Sequence, residues 1–89
     1  VKTYDVLVVG GGIIGGSIAF DLARRNLRVV VLDRQEFARE ASWAAAGMLS
    51  PAPDCTAAIP LVPLGRASLA LYPEFVSAAE DASGLSSGY

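Results

Sequence analysis

Eighty-nine residues with 53% hydrophobic and 18% charged side chains carry a formal net charge of −2. That balance excludes a basic nucleic-acid surface and a basic anchor for acidic membranes. With no histidine and one cysteine, Cys55, the chain also excludes a histidine general base, an internal disulfide and a zinc-type cluster.

No base or cation stands beside Cys55 in the sequence, so it reads as an unreactive loop thiol. A free thiol fits a reducing compartment. The longest apolar run near the N-terminus, residues 6–9, falls far short of a signal segment or a membrane span. The expectation is a cytoplasmic chain with no membrane partner.

The first element predicted in chain order is a buried strand, Val6-Leu7-Val8-Val9, after a short polar lead. Asp5, just ahead of it, is placed to accept from turn N–H groups. Gly10, Gly12 and Gly15 then follow with the G-x-G-x-x-G spacing of a dinucleotide site. Gly10 permits a tight turn out of the strand, Gly12 lets backbone approach a pyrophosphate, and Gly15 lets a helix pack closely on the sheet. A helix from about Ile14 to Arg25 puts Ile14, Ile18, Ala19, Leu22 and Ala23 on one face, with Asp21, Arg24 and Arg25 opposite. Asn26 suits a left-handed residue after its end. A second apolar strand, Val29 to Leu32, ends on Asp33, eighteen positions after Gly15 and near the distance at which an acid reaches a ribose hydroxyl. The unit is β-α-β over about residues 5–33, with phosphates expected at the first free N–H groups of the helix.

Residues 34–40 are polar and read as a loop or helical turn. Alanine propensity alone makes a helix of Ala41 to Leu49, stopped by Gly47 and Pro51. The prolines mark residues 50–60 as loop. From about 61 to 83 a second helical pattern runs through Leu64, Leu69, Leu71, Tyr72, Phe75, Val76 and Ala79. Pro63 is tolerated in its first turn, whereas Pro73 is expected to kink or split it. Residues 80–84 read as its exit, and 85–89 run on without a closing element. Trp43 is expected to be a packing residue, and Glu74, Glu80 and Asp81 a solvated face.

The predicted fold class is α/β, the start of a Rossmann-like doubly wound parallel sheet. Two strands cannot form the covered sheet that such strands need, so the unit is expected to be incomplete in this chain. That reading makes the chain the N-terminal part of a longer enzyme without its substrate domain. Asp33 favours a free ribose 2′-hydroxyl, which disfavours NADP. NAD and the AMP half of FAD look alike to this motif, and both stay open on it.

A second stretch separates them. The segments Asp5 to Gly15 and Glu40-Ala41-Ser42-Trp43-Ala44-Ala45-Ala46-Gly47-Met48-Leu49, with the later Leu71-Tyr72-Pro73-Glu74-Phe75, resemble the D-amino-acid oxidase-like FAD-dependent oxidoreductases. The likeness is greatest to their glycine-oxidase branch, which is associated with thiamine biosynthesis. The resemblance covers essentially the whole chain but only about the first quarter of a family member.

The resemblance implies FAD as cofactor, with Ile13 and Ile14 presenting N–H groups to its pyrophosphate and Asp33 and Arg34 flanking the adenosine ribose. It further implies that Ala41 and Ser42 contact the phosphate and ribityl region, and that Ala46, Gly47 and Met48 line the flavin ring. Family members usually carry glutamate where this chain has Asp33. The implied reaction is oxidation of glycine or a related amino acid or amine by O2, giving an imine, then a keto acid, and hydrogen peroxide. Its partners would be that small molecule and O2, and assembly into a homo-oligomer is compatible with it. Three alternatives stay open: an FAD amine dehydrogenase with another electron acceptor, an NAD-dependent dehydrogenase, and a truncated FAD-binding fragment with no catalysis of its own. No catalytic residue and no metal ligand is assigned.

Overall fold

A computed structural model describes residues 1–52 and 56–89, so Cys55 and Pro53 lie outside the described residues. The chain forms two compact units, Val1–Gly47 and Met48–Tyr89. The first unit holds strand β1 (Val6–Val9), helix α1 (Ile13–Arg24), strand β2 (Val29–Leu32) and a single helical turn, α2 (Ala41–Ala44). The strands pair in parallel, in the register Val6↔Val29 to Val9↔Leu32. β-Branched and leucine side chains on both strands favour this extended pairing.

The end of α1 follows from Asn26. Its φ of 64° turns the chain left-handed, and its N–H donates to the Ala23 carbonyl at 3.0 Å. The Leu27 N–H donates to the Leu22 carbonyl at 3.2 Å, which completes a Schellman closure. The helix shows the sheet a narrower stripe than its periodicity predicts. Gly15, Ala19 and Leu22 are half-buried, whereas Ile14 and Ile18 remain exposed, because two strands are too narrow to cover the whole apolar face. Among the described residues no hydrophobic side chain is fully buried.

Asp5 accepts a backbone N–H as expected, but from Arg28 at the mouth of β2 rather than from a turn (2.7 Å). The same carboxylate receives the Arg28 guanidinium through Nε at 3.1 Å and NH2 at 2.9 Å. Those bonds from Arg28 hold the Asp5 carboxyl below its ordinary value of 3.8. A depressed carboxyl adds stability that is present above that value and lost as pH falls through the lower folded-state pKa. The pair is exposed, so its effect should be local. Acidification below pH 3.8 is expected to lower the protection of the Arg28 amide, relative to its intrinsic exchange rate at each pH, before the centre of α1 responds. Simultaneous exchange at both places would show that the pair does not pin the strand entrance separately.

The second unit holds a 3-10 helix, Thr56–Leu61, followed by helix α3, Val62–Ser83. The 3-10 helix replaces the second half of the loop expected over 50–60. Pro63 falls in the first turn of α3. Pro73 does not split the helix: α3 continues through it, with the ring at an exposed position and about three turns of helix on either side. Gly84, at φ 71°, ends α3 as its left-handed cap. The tail then folds back instead of running free. The Glu80 carboxylate accepts from the Ser87 N–H at 2.7 Å and hydroxyl at 2.6 Å, and the Tyr89 ring lies 6.1 Å from that of Tyr72. Glu80 is therefore a tie for the tail rather than part of a solvated face. No helix among the described residues is long and apolar enough to cross a membrane.

Candidate cofactor site

At the C-terminal ends of β1 and β2 a cleft of about 450 Å³ opens in the first unit. Gly10, Gly12, Asp33, Arg34, Ala41 and Ser42 line it, together with Val9, Leu32, Ala38, Arg39 and Glu40. Crevices beyond the carboxyl ends of parallel strands are where ligands bind in open α/β sheets.

The glycine turn is shaped for close approach. Gly10 has φ 101°, a conformation that side-chain-bearing residues rarely adopt, and its N–H donates to the Leu32 carbonyl at 2.7 Å. A Cβ on Gly15 would overlap the Gly10 carbonyl oxygen and lie 3.2 Å from Val8 Cγ1. A Cβ on Gly12 would lie 2.9 Å from Ser42 Oγ.

The first intrahelical bond of α1 runs from the Gly16 N–H to the Gly12 carbonyl at 2.8 Å. The earlier N–H groups therefore have no acceptor within the helix. Ile13 gives its N–H to Ser42 Oγ at 2.8 Å, a cap supplied from 29 residues away. The Ile14 and Gly15 N–H groups stand at the positive end of the helix dipole, a natural place for an anion. No acidic side chain occupies the first turn of α1 to compete.

Asp33 sits across the cleft. Its Oδ2 accepts the Gly11 N–H at 2.7 Å and its Oδ1 accepts the Gln35 N–H at 3.2 Å. These N–H groups, Gly11 first, hold its carboxyl below the ordinary 3.8, with the neighbouring Arg34 adding to the effect. Arg34 itself is turned onto Glu40, whose carboxylate takes its Nε and the Gln35 Nε2. Those two bonds, Arg34 first, lower the Glu40 carboxyl.

The structure thus gathers Gly10, Gly12, Asp33, Arg34, Ala41 and Ser42 around one cleft, with Ile13, Ile14 and Gly15 at the helix start beside it. Ala46 and Gly47 are exposed and do not line the cleft, and Met48 belongs to the second unit. The helix expected over 41–49 is a correction: α2 stops at Ala44, Ala45 is extended at ψ 144°, and Gly47 has φ 81°. A single turn is below the length at which propensity sustains a helix, so alanine preference does not decide here. Trp43 is another correction: it is 67% exposed, with the Arg39 guanidinium 4.2 Å above its ring. Sequence reasoning passed over Gly11 and Glu40. Gly11 is unmarked in the G-x-G-x-x-G pattern, and Glu40, although it opens the segment that carries the family resemblance, has no role assigned by it. Among the described residues no cluster fit to hold a metal ion occurs.

Residues 5–88 match the DAO family, described as FAD dependent oxidoreductase. The chain belongs to this family. It is 41% identical to a glycine oxidase from Geobacillus kaustophilus over 96% of its own length and 22% of that relative's. It is 46% identical to a bifunctional protein ThiO/ThiG from Synechocystis over 98% of this chain and 13% of that protein. The crystal structure of the Geobacillus kaustophilus glycine oxidase superposes with a TM-score of 0.83, and that of the Bacillus cereus enzyme with 0.80 at 38% identity. Each superposition covers more than nine-tenths of this chain and 22% of the solved one. The chain therefore spans about a fifth of the length of the glycine oxidases it matches.

The family's cofactor is FAD, and this cleft fits the adenosine diphosphate half of that molecule. The fit rests on the free N–H groups of α1, the side-chain-free surface at Gly10 and Gly12, and a carboxylate kept ionised opposite them. The α/β Rossmann-like reading is likewise that of the family's solved structures.

Proposed function

We propose that this chain supplies the adenosine-diphosphate side of the FAD site in an enzyme that oxidises glycine or a related small amino acid or amine. The observation that carries the proposal is the likeness to glycine oxidases, which extends through both halves of the cleft: the glycine turn and the Ser42 segment. Bound FAD would supply two-electron oxidation of the substrate's carbon–nitrogen bond and return the electrons to O2, giving an imine and hydrogen peroxide.

The chain's own residues would act by binding and orientation. The Ile14 and Gly15 N–H groups would hold a pyrophosphate oxygen, and Ser42 would fix the helix start through Ile13. Asp33 would accept the ribose hydroxyls. Glu40 would neutralise Arg34, which removes a free cation from the ribose side and with it an attraction for a 2′-phosphate. Ala46, Gly47 and Met48 are proposed as the flavin-side segment on the sequence resemblance alone.

The test uses the intact protein, oxygen-saturated buffer and glycine, sarcosine and a panel of D-amino acids. A flavin spectrum and peroxide release with glycine or sarcosine are expected. Turnover only with an artificial acceptor would replace the oxidase with a dehydrogenase. A colourless protein that binds NAD would overturn the flavin reading itself.

A further inference from the structure

Gly11 is the one described residue that is buried, although it lies in a turn of a small unit. Its burial comes from the loop after β2. A Cβ placed on Gly11 would overlap Phe37 Cδ1 and lie 3.0 Å from Cε1 and 3.1 Å from Cγ, so the ring is seated directly on the glycine. The next residue completes the grip. The Ala38 N–H donates to the Gly11 carbonyl at 2.9 Å, and Ala38 is held at φ 59°, where L-residues are uncommon. On its other side Gly11 donates to Asp33 Oδ2 at 2.7 Å.

From these contacts we infer that Phe37 is a positioning residue for the cofactor cleft, clasping Gly11 so that Asp33 and Ser42 are held at their working places. The inference rests on the reading of this cleft as an FAD site. The segment from 33 to 42 touches the glycine turn at three points: Asp33 on Gly11, Phe37-Ala38 on Gly11, and Ser42 on Ile13. The outer two carry the groups that face the ligand. The middle one brings Ala38 to the cleft lining but offers no polar side chain to a ligand. It shortens the free loop between the outer two, which lowers the entropy lost when both are ordered. Because Phe37 is 59% exposed, its ring has room to swing away, and its seat on Gly11 persists only while position 11 lacks a side chain.

The test is a double-mutant cycle in the intact protein, read as FAD dissociation constants, with hydrogen exchange at the Ala38 amide measured on cofactor-free protein. Gly11→Ala is expected to weaken FAD about tenfold in the presence of Phe37 and by less than about twofold in the Phe37→Ala background, since relief of the overlap removes the cost. Phe37→Ala alone should weaken FAD several-fold and expose the Ala38 amide to exchange, whereas Phe37→Leu should keep most of both. An equal cost of Gly11→Ala in the two backgrounds would overturn the clasp. So would Phe37→Ala with wild-type affinity. Should Gly11→Ala fail to fold, the two Phe37 variants decide alone. Failure of the unsubstituted protein to bind FAD would sink the cofactor reading. The exchange data need no cofactor: unchanged protection of Ala38 in Phe37→Ala would sink the clasp by itself.

Discussion

Replacing Gly15 by alanine is expected to empty the protein of FAD and to lower its unfolding temperature, whereas the same change one residue later should do neither. The added Cβ at position 15 would overlap the Gly10 carbonyl oxygen, lie 3.0 Å from the carbonyl carbon, and crowd Val8 Cγ1 at 3.2 Å. These are largely backbone atoms, so no rotamer change relieves them. Gly10 cannot withdraw either, because its N–H is bonded to the Leu32 carbonyl and its φ of 101° admits few alternatives. The helix must therefore lift off the strands, taking the Ile14 N–H group away from the cleft. Overpacking of this kind costs about 1–3 kcal/mol, and more where the neighbour is backbone.

Gly16 is the control. It lies in the same helix and nothing stands within 4 Å of a Cβ built on it. Gly16→Ala should be neutral or stabilising by about 0.5–1 kcal/mol, from helix propensity alone. Thermal unfolding and flavin absorbance of the two variants side by side decide the matter. Equal behaviour would mean that the helix–turn contact at Gly15 does not hold the site together.

That pair of glycines also shows where sequence reading works. The roles of Gly10 and Gly15 were legible because a fixed spacing encodes a fixed backbone path, and the strand, turn and helix periods agree with it. Asn26 was legible for the same local reason. The Ser42 segment was legible only through its resemblance to a family. Its physics is long-range: the hydroxyl caps a helix 29 residues away, and local alanine preference points to a longer helix than forms.

Gly11 and Phe37 were not legible at all. Their meaning is a contact between a turn and a loop that share no periodicity, and either residue alone looks incidental. Glu80 misleads for the opposite reason. An acid near the end of a helix usually faces water, and here a tail of five residues happens to return to it. Trp43 was expected to pack, but it is exposed and its ring carries the Arg39 guanidinium at 4.2 Å instead, a local charge–ring contact that an apolar pattern does not announce.

Asp33 is the side chain whose removal should weaken FAD most. It serves three neighbours at once: the buried Gly11 N–H on Oδ2, the Gln35 N–H on Oδ1, and the ligand side of the cleft through its remaining lone pairs. Asp33→Ala strips the acceptor from a buried donor as well as from the ribose, and an unsatisfied buried N–H is the costlier half of a broken hydrogen bond. A loss of FAD affinity of about 100-fold is expected. Asp33→Asn keeps an oxygen for Gly11 but exchanges the charge and one acceptor for an amide, so a loss of about tenfold is expected. The pH dependence has a definite sign. The Gly11 and Gln35 N–H groups favour the charged carboxylate and hold it below 3.8, so its contribution is complete above that value and fades as pH falls through the lower folded-state pKa. FAD retention should accordingly be level from pH 5 to 8 with respect to this group and decline below pH 4, and Asp33→Asn should remove that acid limb. Titration of FAD into cofactor-free protein at several pH values measures both effects. An acid limb unchanged in Asp33→Asn would assign the loss to another carboxylate. Wild-type affinity in Asp33→Ala would leave the ribose without its acceptor in this chain and would move the recognition of adenosine to the backbone of the glycine turn alone.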